Sequence, residues 1–454
     1  MQDLRKLIDE RTPRWLEELF GLLCIPSISS TEEGIEGVPA CAELLVREMR
    51  RLGIETTVHP TGDGPDILTG ELRCPRADAP TVLIYGHYDV QPAGDRSLWR
   101  TDPFTPTVQD GRIYCRGVAD DKGQFYAHLK AIEAYKAVRG ELPVHLKFLF
   151  EGEEEVGSRH LRDFVAAHRE LLACDVALNS DAAMHESGRP TLVLGLKGSY
   201  TPILEVRTAN RDVHSMHGAT VPSAAWRMIG LLSTLKGEDG KVLIDGFYDD
   251  VREPTELELE TLGTIPDAEA QIKAELGVEH FVRGRVTDNF NYNTVFEPTC
   301  NINSLRSGHL GAGNNNIVPA TARVRLDMRL VPNQTPERIH ELFKAHLHKH
   351  GYDDVEFLAQ GGGAPLRVPA DDPYAKAAAE VLGEVWGEPG VIWPNIGGSG
   401  PFALFTELLG APFLLIPYAA ADQCEHAPNE NMKIDDFKRG VLASIRLYER
   451  FGNL

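Results

Sequence analysis

Apolar residues return at helical spacing over Asp3–Cys24 (Leu7, Ile8, Trp15, Leu16, Leu19, Phe20 and Leu23), which predicts an amphipathic helix stopped by Pro26. Pro39–Leu52 carries the same period and ends on basic residues before Gly53, a second helix with its stop. Short apolar runs then predict strands at Ile54–His59, Asp66–Glu71, Thr81–Tyr85, Pro143–Phe150 and Asp175–Asn179, with helices at Gln124–Arg139 and Arg159–His168. Thr81–Tyr85 is continuously apolar rather than alternating, the mark of a strand buried on both faces of a parallel or mixed sheet. From about Leu196 the pattern changes. Pro202–Arg207 and Thr321–Leu330 alternate with period two, while Val221–Leu235 and Thr335–His350 are helical, so a separate, largely antiparallel α+β domain is expected. Lys236–Glu297 is charged and reads as an irregular excursion of that domain. Past the glycines at 361–363 the first pattern resumes, with helices Pro373–Trp386 and Ile434–Phe451 and strands Val391–Trp393 and Phe413–Ile416. The predicted architecture is α/β: a mixed central sheet flanked by helices over 1–196 and 363–454, with an α+β domain inserted at 197–362.

Composition narrows the function. A chain of 454 residues exceeds one ordinary core, in keeping with two domains. Its 46 Lys+Arg against 67 Asp+Glu give a formal charge of -21, which repels nucleic acid and anionic membranes. The amino-terminal residues are charged throughout and lack the apolar core of a signal peptide, and no apolar run is long enough for a bilayer. Seven scattered cysteines without a CxxC pair argue for reduced thiols, so a cytoplasmic location is expected.

The candidate chemistry lies at strand ends. Glu151–Ser158, EGEEEVGS, sets four carboxylates just past a predicted buried strand, where their repulsion calls for a cation or a retained proton. Gly86–Pro92, GHYDVQP, places His87 and Asp89 two apart, so that in extended chain the carboxylate can orient the imidazole. Gly117–Gly123, GVADDKG, carries Asp120 and Asp121; alone, that pair reads equally as favourable charge at a helix start. Ligand crevices of open α/β sheets lie beyond the carboxyl ends of the strands. Brought there together, His87, Asp120, Glu155, Asp181 and His426 form a thiolate-free set suited to two divalent ions such as zinc or manganese, with one carboxylate bridging. One glutamate of the EGEEEVGS run remains free as a base. No GxSxG, P-loop or GxGxxG motif offers another chemistry.

With these motifs in this order, and with WRTDPF at Trp99–Phe104, RGVADDKGQ at Arg116–Gln124, SD at Ser180–Asp181 and EH at Glu425–His426, the chain resembles the dinuclear metallopeptidases. That family includes carnosinase, cytosolic non-specific dipeptidase, aminoacylase, succinyl-diaminopimelate desuccinylase and glutamate carboxypeptidase. The resemblance runs nearly end to end and implies a zinc-exopeptidase-like catalytic domain and an inserted lid and dimerisation domain. It implies His87, Asp120 (bridging), Glu155, Asp181 and His426 as ligands, Asp89 as the partner of His87, and Glu154 as general base. His214, in RDVHSMHG, which alone reads as a surface histidine, becomes an oxyanion stabiliser acting across a dimer, with His217 as its competitor in sequence. Arg329, Asn316 and Ser399 become substrate contacts, and Glu151 and Glu153 match no ligand position. The function implied is hydrolysis of dipeptides or short peptides by a hydroxide held between two metals; the alternative is N-acyl amino-acid deacylation or desuccinylation at the same site.

Overall fold

The computed structural model describes residues 1–282, 284–311 and 316–454, the side chain of Glu33 excepted. The central sheet has eight strands: β1 Glu55–His59, β2 Ile67–Leu72, β3 Thr81–His87, β4 His145–Glu151, β5 Val176–Asn179, β6 Thr191–Val193, β7 Val391–Trp393 and β8 Phe413–Leu415. Their order is β1-β2-β4-β3-β5-β8-β6-β7. The pairs β4/β3, β3/β5, β5/β8 and β6/β7 are parallel, whereas β1/β2, β2/β4 and β8/β6 are antiparallel. The sheet is therefore mixed, as its continuous apolar runs predict.

Helices cover both faces. Along β3, Tyr85 packs on Phe402 and Phe405. At the next residue, Gly86, a Cβ would meet Asp121 and Phe125 at 3.0 Å on the other face, so the close approach of helix Lys122–Arg139 requires glycine there. Helices Gln2–Leu23, Lys122–Arg139 and Ile434–Phe451 pack on one another, and Pro373–Trp386 packs on the last of them. Pro13 lies inside the first helix without ending it.

Buried apolar residues fall into two clusters. One runs from Leu4 to Leu196 and resumes at Leu366; the other, from Tyr200 to Leu347, belongs to a second sheet. That sheet is antiparallel, with Thr321–Leu330 paired to Ile203–Arg207, Gly198–Tyr200 and Thr299–Ser307. Helices Ala224–Leu235 and Pro336–Lys349 lie against it. Thr321–Leu330 alternates buried and more exposed residues, the period-two signal made physical.

Two segments differ from the sequence expectation. The stretch 236–297, expected to be irregular, holds helices Glu256–Gly263, Glu269–Leu276 and Phe290–Phe296, the first fixed by a Thr255–Glu258 capping box. Thr299–Ser307 is a nine-residue strand that no alternation announces, because most of it is exposed on both faces. No helix of the described residues is long and apolar enough to cross a membrane.

Candidate dinuclear metal site

β3, β4 and β5 run parallel side by side, with His87 opposite Glu151 and Tyr85 opposite Asn179, so His87, the EGEEEVGS turn and Asp181 emerge at one edge. His87 is the last residue of its strand rather than the first of a turn, which fixes its backbone in the sheet. Its Nδ1 lies 3.2 Å from the Asp89 carbonyl oxygen and 3.3 Å from Asp89 Oδ1. Both neighbours accept, so Nδ1 carries a proton, and Nε2 is the nitrogen that would face a cation once its own proton is displaced. The Asp89 carboxylate also accepts from the Ser29 hydroxyl at 2.6 Å and from the backbone N–H groups of Glu154 and Glu155 at 3.2 and 3.1 Å. One buried aspartate thus orients an imidazole and holds the turn that bears two of the four glutamates.

The four glutamates separate by partner. Glu151 is buried and accepts from the Tyr85 hydroxyl at 2.6 Å. Glu153 accepts from the His160 backbone N–H at 2.6 Å, at the start of helix Leu161–Ala167, and lies 2.9 Å from His160 Nδ1. Glu155 Oε2 accepts from Gln91 Nε2 at 2.8 Å and lies 3.2 Å from His426 Nε2. Glu154 stands between them on a short 3-10 turn.

Asp120 joins the two halves. Its Oδ1 is 3.0 Å from His87 Nε2 and its Oδ2 is 2.8 Å from His426 Nε2; Asp181 Oδ2 is 3.7 Å from the same His87 nitrogen. His426 adopts a positive φ of 55° in the loop after β8 and is half exposed at 51%, so the cluster opens to solvent on its side. Among the described residues, two groups have ligand atoms within 4.8 Å of one another: His87, Asp120 and Asp181, and Asp120, Glu425 and His426. Glu425 has no ligand role in the sequence reading; its proximity depends on the unusual loop conformation at Cys424 and His426, which spacing does not disclose.

The electrostatics fit divalent cations. His87 Nε2 and Glu155 Oε1 are buried without an aligned hydrogen-bond partner among the described residues. Burial, reinforced by Asp181, Asp120 and Glu155, pushes Glu154 up to about 8 despite His87. Burial with Asp120 and Asp181 pushes Glu425 to about 7. Hydrogen bonds donated to Asp120 and Glu155 raise His426 to about 11. For His87, burial favours the neutral ring, but Asp120, Asp181 and Asp89 outweigh it and raise its pKa. Without cations, two imidazolium groups serve as counter-charges to the carboxylates, and divalent ions would replace those protons.

The remaining candidates form two pairs. Exposed His214 accepts from the Met216 N–H at 3.1 Å and pairs with Ile317, beside Asn316, whose carbonyl accepts from Ser215 N–H at 2.8 Å. Asn314 and Asn315, which precede Asn316 in the asparagine run, lie outside the described residues. Arg329 Nη1 donates to Ser399 Oγ at 2.8 Å, and its Nε is 3.0 Å from Asp327 Oδ1. Among the described residues, neither pair touches the His87–Asp120–His426 cluster.

Known proteins share both sequence and fold. The chain is 30% identical over 468 residues to the Cys-Gly metallodipeptidase DUG1 of Candida albicans, covering 97% of this chain and 95% of the relative. It is 26% identical over 456 residues to the human Beta-Ala-His dipeptidase, covering 94% and 84%. The M20 family metallo-carboxypeptidase Sso-CP2 of Sulfolobus solfataricus superposes with a TM-score of 0.89 at 33% identity, covering 97% of this chain and 99% of the other. The model of peptidase family M20/M25/M40 matches residues 83–450, a span containing every histidine and carboxylate of the cluster, and the chain belongs to this family of metal-dependent peptidases.

Proposed function

We propose that the chain is a metallodipeptidase that hydrolyses dipeptides or short peptides from a free end. The observation that carries this reading is Asp120, whose two oxygens face two different histidines at 3.0 and 2.8 Å. In this reading His87, Asp120 and Asp181 hold one ion and Asp120, Glu155 and His426 the other, zinc or manganese by donor type. A bound pair of ions supplies a water that is acidic near neutral pH and polarises the scissile carbonyl. Glu154, next to Glu155 on the short turn at the edge of the cluster, takes the proton of the attacking water and passes it to the leaving amine. Asp89 keeps the His87 ring in place. Arg329, steadied by Ser399 and Asp327, grips the substrate's terminal carboxylate with its planar fork, and Asn316 adds a polar contact.

The domain limits in this reading are 1–196, 197–362 and 363–454, because members of the first core cluster stop at Leu196 and resume at Leu366. The inserted domain serves as lid and dimer interface. Its Thr299–Ser307 strand is a sheet edge with exposed Ile302 and Leu305, and the adjoining helix Ala224–Leu235 exposes Trp226 and Ile229 one turn apart. A second copy covering that face would bring the exposed His214 towards the partner's substrate carbonyl, where its N–H stabilises the oxyanion. Unpaired cysteines suit the cytoplasm.

Metal-stripped protein reconstituted with zinc, manganese or cobalt should cleave dipeptides at least tenfold faster than N-acetyl or N-succinyl amino acids. Preference for the acylated compounds would make the chain a deacylase instead.

A further inference from the structure

Two buried side chains outside the ligand set join the loops that carry it. Gln124, in the first turn of helix Lys122–Arg139, is fully buried. Its Nε2 donates to the Ala119 carbonyl at 2.6 Å and the Ala182 carbonyl at 2.9 Å. Its Oε1 accepts from the N–H groups of Tyr418 at 2.5 Å and Ala419 at 3.1 Å. An amide has two N–H donors and two lone pairs, so Gln124 is saturated and its orientation is fixed. Ala119 precedes Asp120, Ala182 follows Asp181, and Tyr418 and Ala419 open the loop that leads to His426. One amide therefore sets the spacing of three ligand-bearing loops.

Glu430 acts on the same loops from the other side. It is fully buried; its Oε1 accepts from the N–H groups of Ala119 at 2.9 Å and Asp120 at 3.1 Å. Its Oε2 accepts from Gly117 N–H at 3.1 Å and from Arg116 Nη1 at 2.6 Å. Arg116 Nη2 continues to the carbonyls of Pro92 at 3.2 Å and Ala427 at 3.3 Å, next to the His87 and His426 segments. Carboxylates that repel one another would spread apart if their loops were free. A bridging aspartate must keep its two oxygens on two histidines at once, which demands a rigid frame.

We infer that Gln124 and Glu430 are positioning residues that fix the loops carrying Asp120, Asp181 and His426 before any ion arrives, so that losing either weakens ion binding beyond its effect on the fold. This rests on Asp120, Asp181 and His426 being ligands. The test compares Gln124→Met and Glu430→Gln with Gln334→Met. Gln334 is an equally buried amide in the inserted domain that donates to the Phe247 carbonyl at 2.7 Å and accepts from Val331 N–H at 3.0 Å. Each metal-free protein is titrated with zinc against a chromophoric chelator, and its thermal midpoint is recorded separately. Gln124→Met and Glu430→Gln should bind at least one ion about 10–100-fold more weakly, while Gln334→Met lowers the midpoint comparably and leaves both affinities unchanged. Where Gln124→Met does not fold, Gln124→Glu keeps the acceptor for Tyr418 and Ala419, sets an oxygen against two carbonyls, and is held to the same result. If the parent binds two ions and the variants bind them equally well, or if Gln334→Met weakens binding as much, the inference is overturned and the ligand reading stands. A parent that binds no ion overturns both.

Discussion

Glu154 is the residue on which turnover should depend most. Its neighbours in the run have other partners: Glu151 takes the Tyr85 hydroxyl, Glu153 the His160 ring and backbone, and Glu155 faces His426. Glu154→Gln should retain both ions and lose roughly 10²–10⁴-fold in kcat; near-normal turnover with full metal content would remove Glu154 from the mechanism. The sequence pattern indicated that four carboxylates past a buried strand call for a cation or a retained proton, but their partners come from segments far along the chain, so spacing alone could not sort them. His128 is a second test at this scale. It is fully buried between Ser180 Oγ at 2.8 Å and the Tyr448 hydroxyl at 3.2 Å, and burial lowers its pKa to about 3. The unfolded chain binds a proton near 6.5 that the folded chain refuses, so stability is full above 6.5 and declines as pH falls towards 3. Between pH 7 and 5 that single group should remove about 2 kcal/mol. Urea midpoints of His128→Gln should fall less over this interval than those of the parent.

Elements buried on both faces were the most legible. β3 reads as an uninterrupted apolar run and β4 as a largely apolar one because neighbours and helices enclose them, and their ends therefore marked the site. Thr299–Ser307 was illegible for the opposite reason: it pairs on one side only, and residues 301–306 are all exposed, so no face was selected for apolar side chains. Helix Glu256–Gly263 did carry a local signal, Thr255 and Glu258 at capping-box spacing, hidden in a charged stretch whose helical face is short. The exposed strand and helix Ala224–Leu235 together offer an apolar face for a second copy. Trp226→Asp with Ile302→Lys places two charges on the apolar face, where Trp226 is 74% and Ile302 53% exposed in the single chain. Light scattering should find a dimer for the parent and a monomer for the double variant, with unchanged metal content. If His214 acts across the interface, kcat falls with dissociation; a fully active monomer would place that histidine's role within one chain.

For the whole molecule, the site is a concentration of negative charge in a chain already at -21, offset without ions by protonated His87 and His426 and by the raised pKa of Glu154 and Glu425. Ion binding must therefore add to folding stability. An ion at a hundredfold excess over its Kd contributes about 2.7 kcal/mol, so two contribute roughly 5 kcal/mol. Over a folding unit of this size that corresponds to a rise in Tm on the order of 5–10 °C. The proposed ligands all belong to the segments that build the central sheet, whereas the second core cluster, Tyr200 to Leu347, contributes none of them. The gain should accordingly be unequal. In calorimetry, excess chelator should lower the transition of the central-sheet unit by that amount and leave a transition of the inserted domain in place, splitting one endotherm into two. A shift of the whole endotherm as one peak would mean that the two cores unfold as a single cooperative unit. An unchanged Tm after confirmed metal loss would show that the carboxylates find their counter-charges within the protein, and would count against these residues as the ions' ligands.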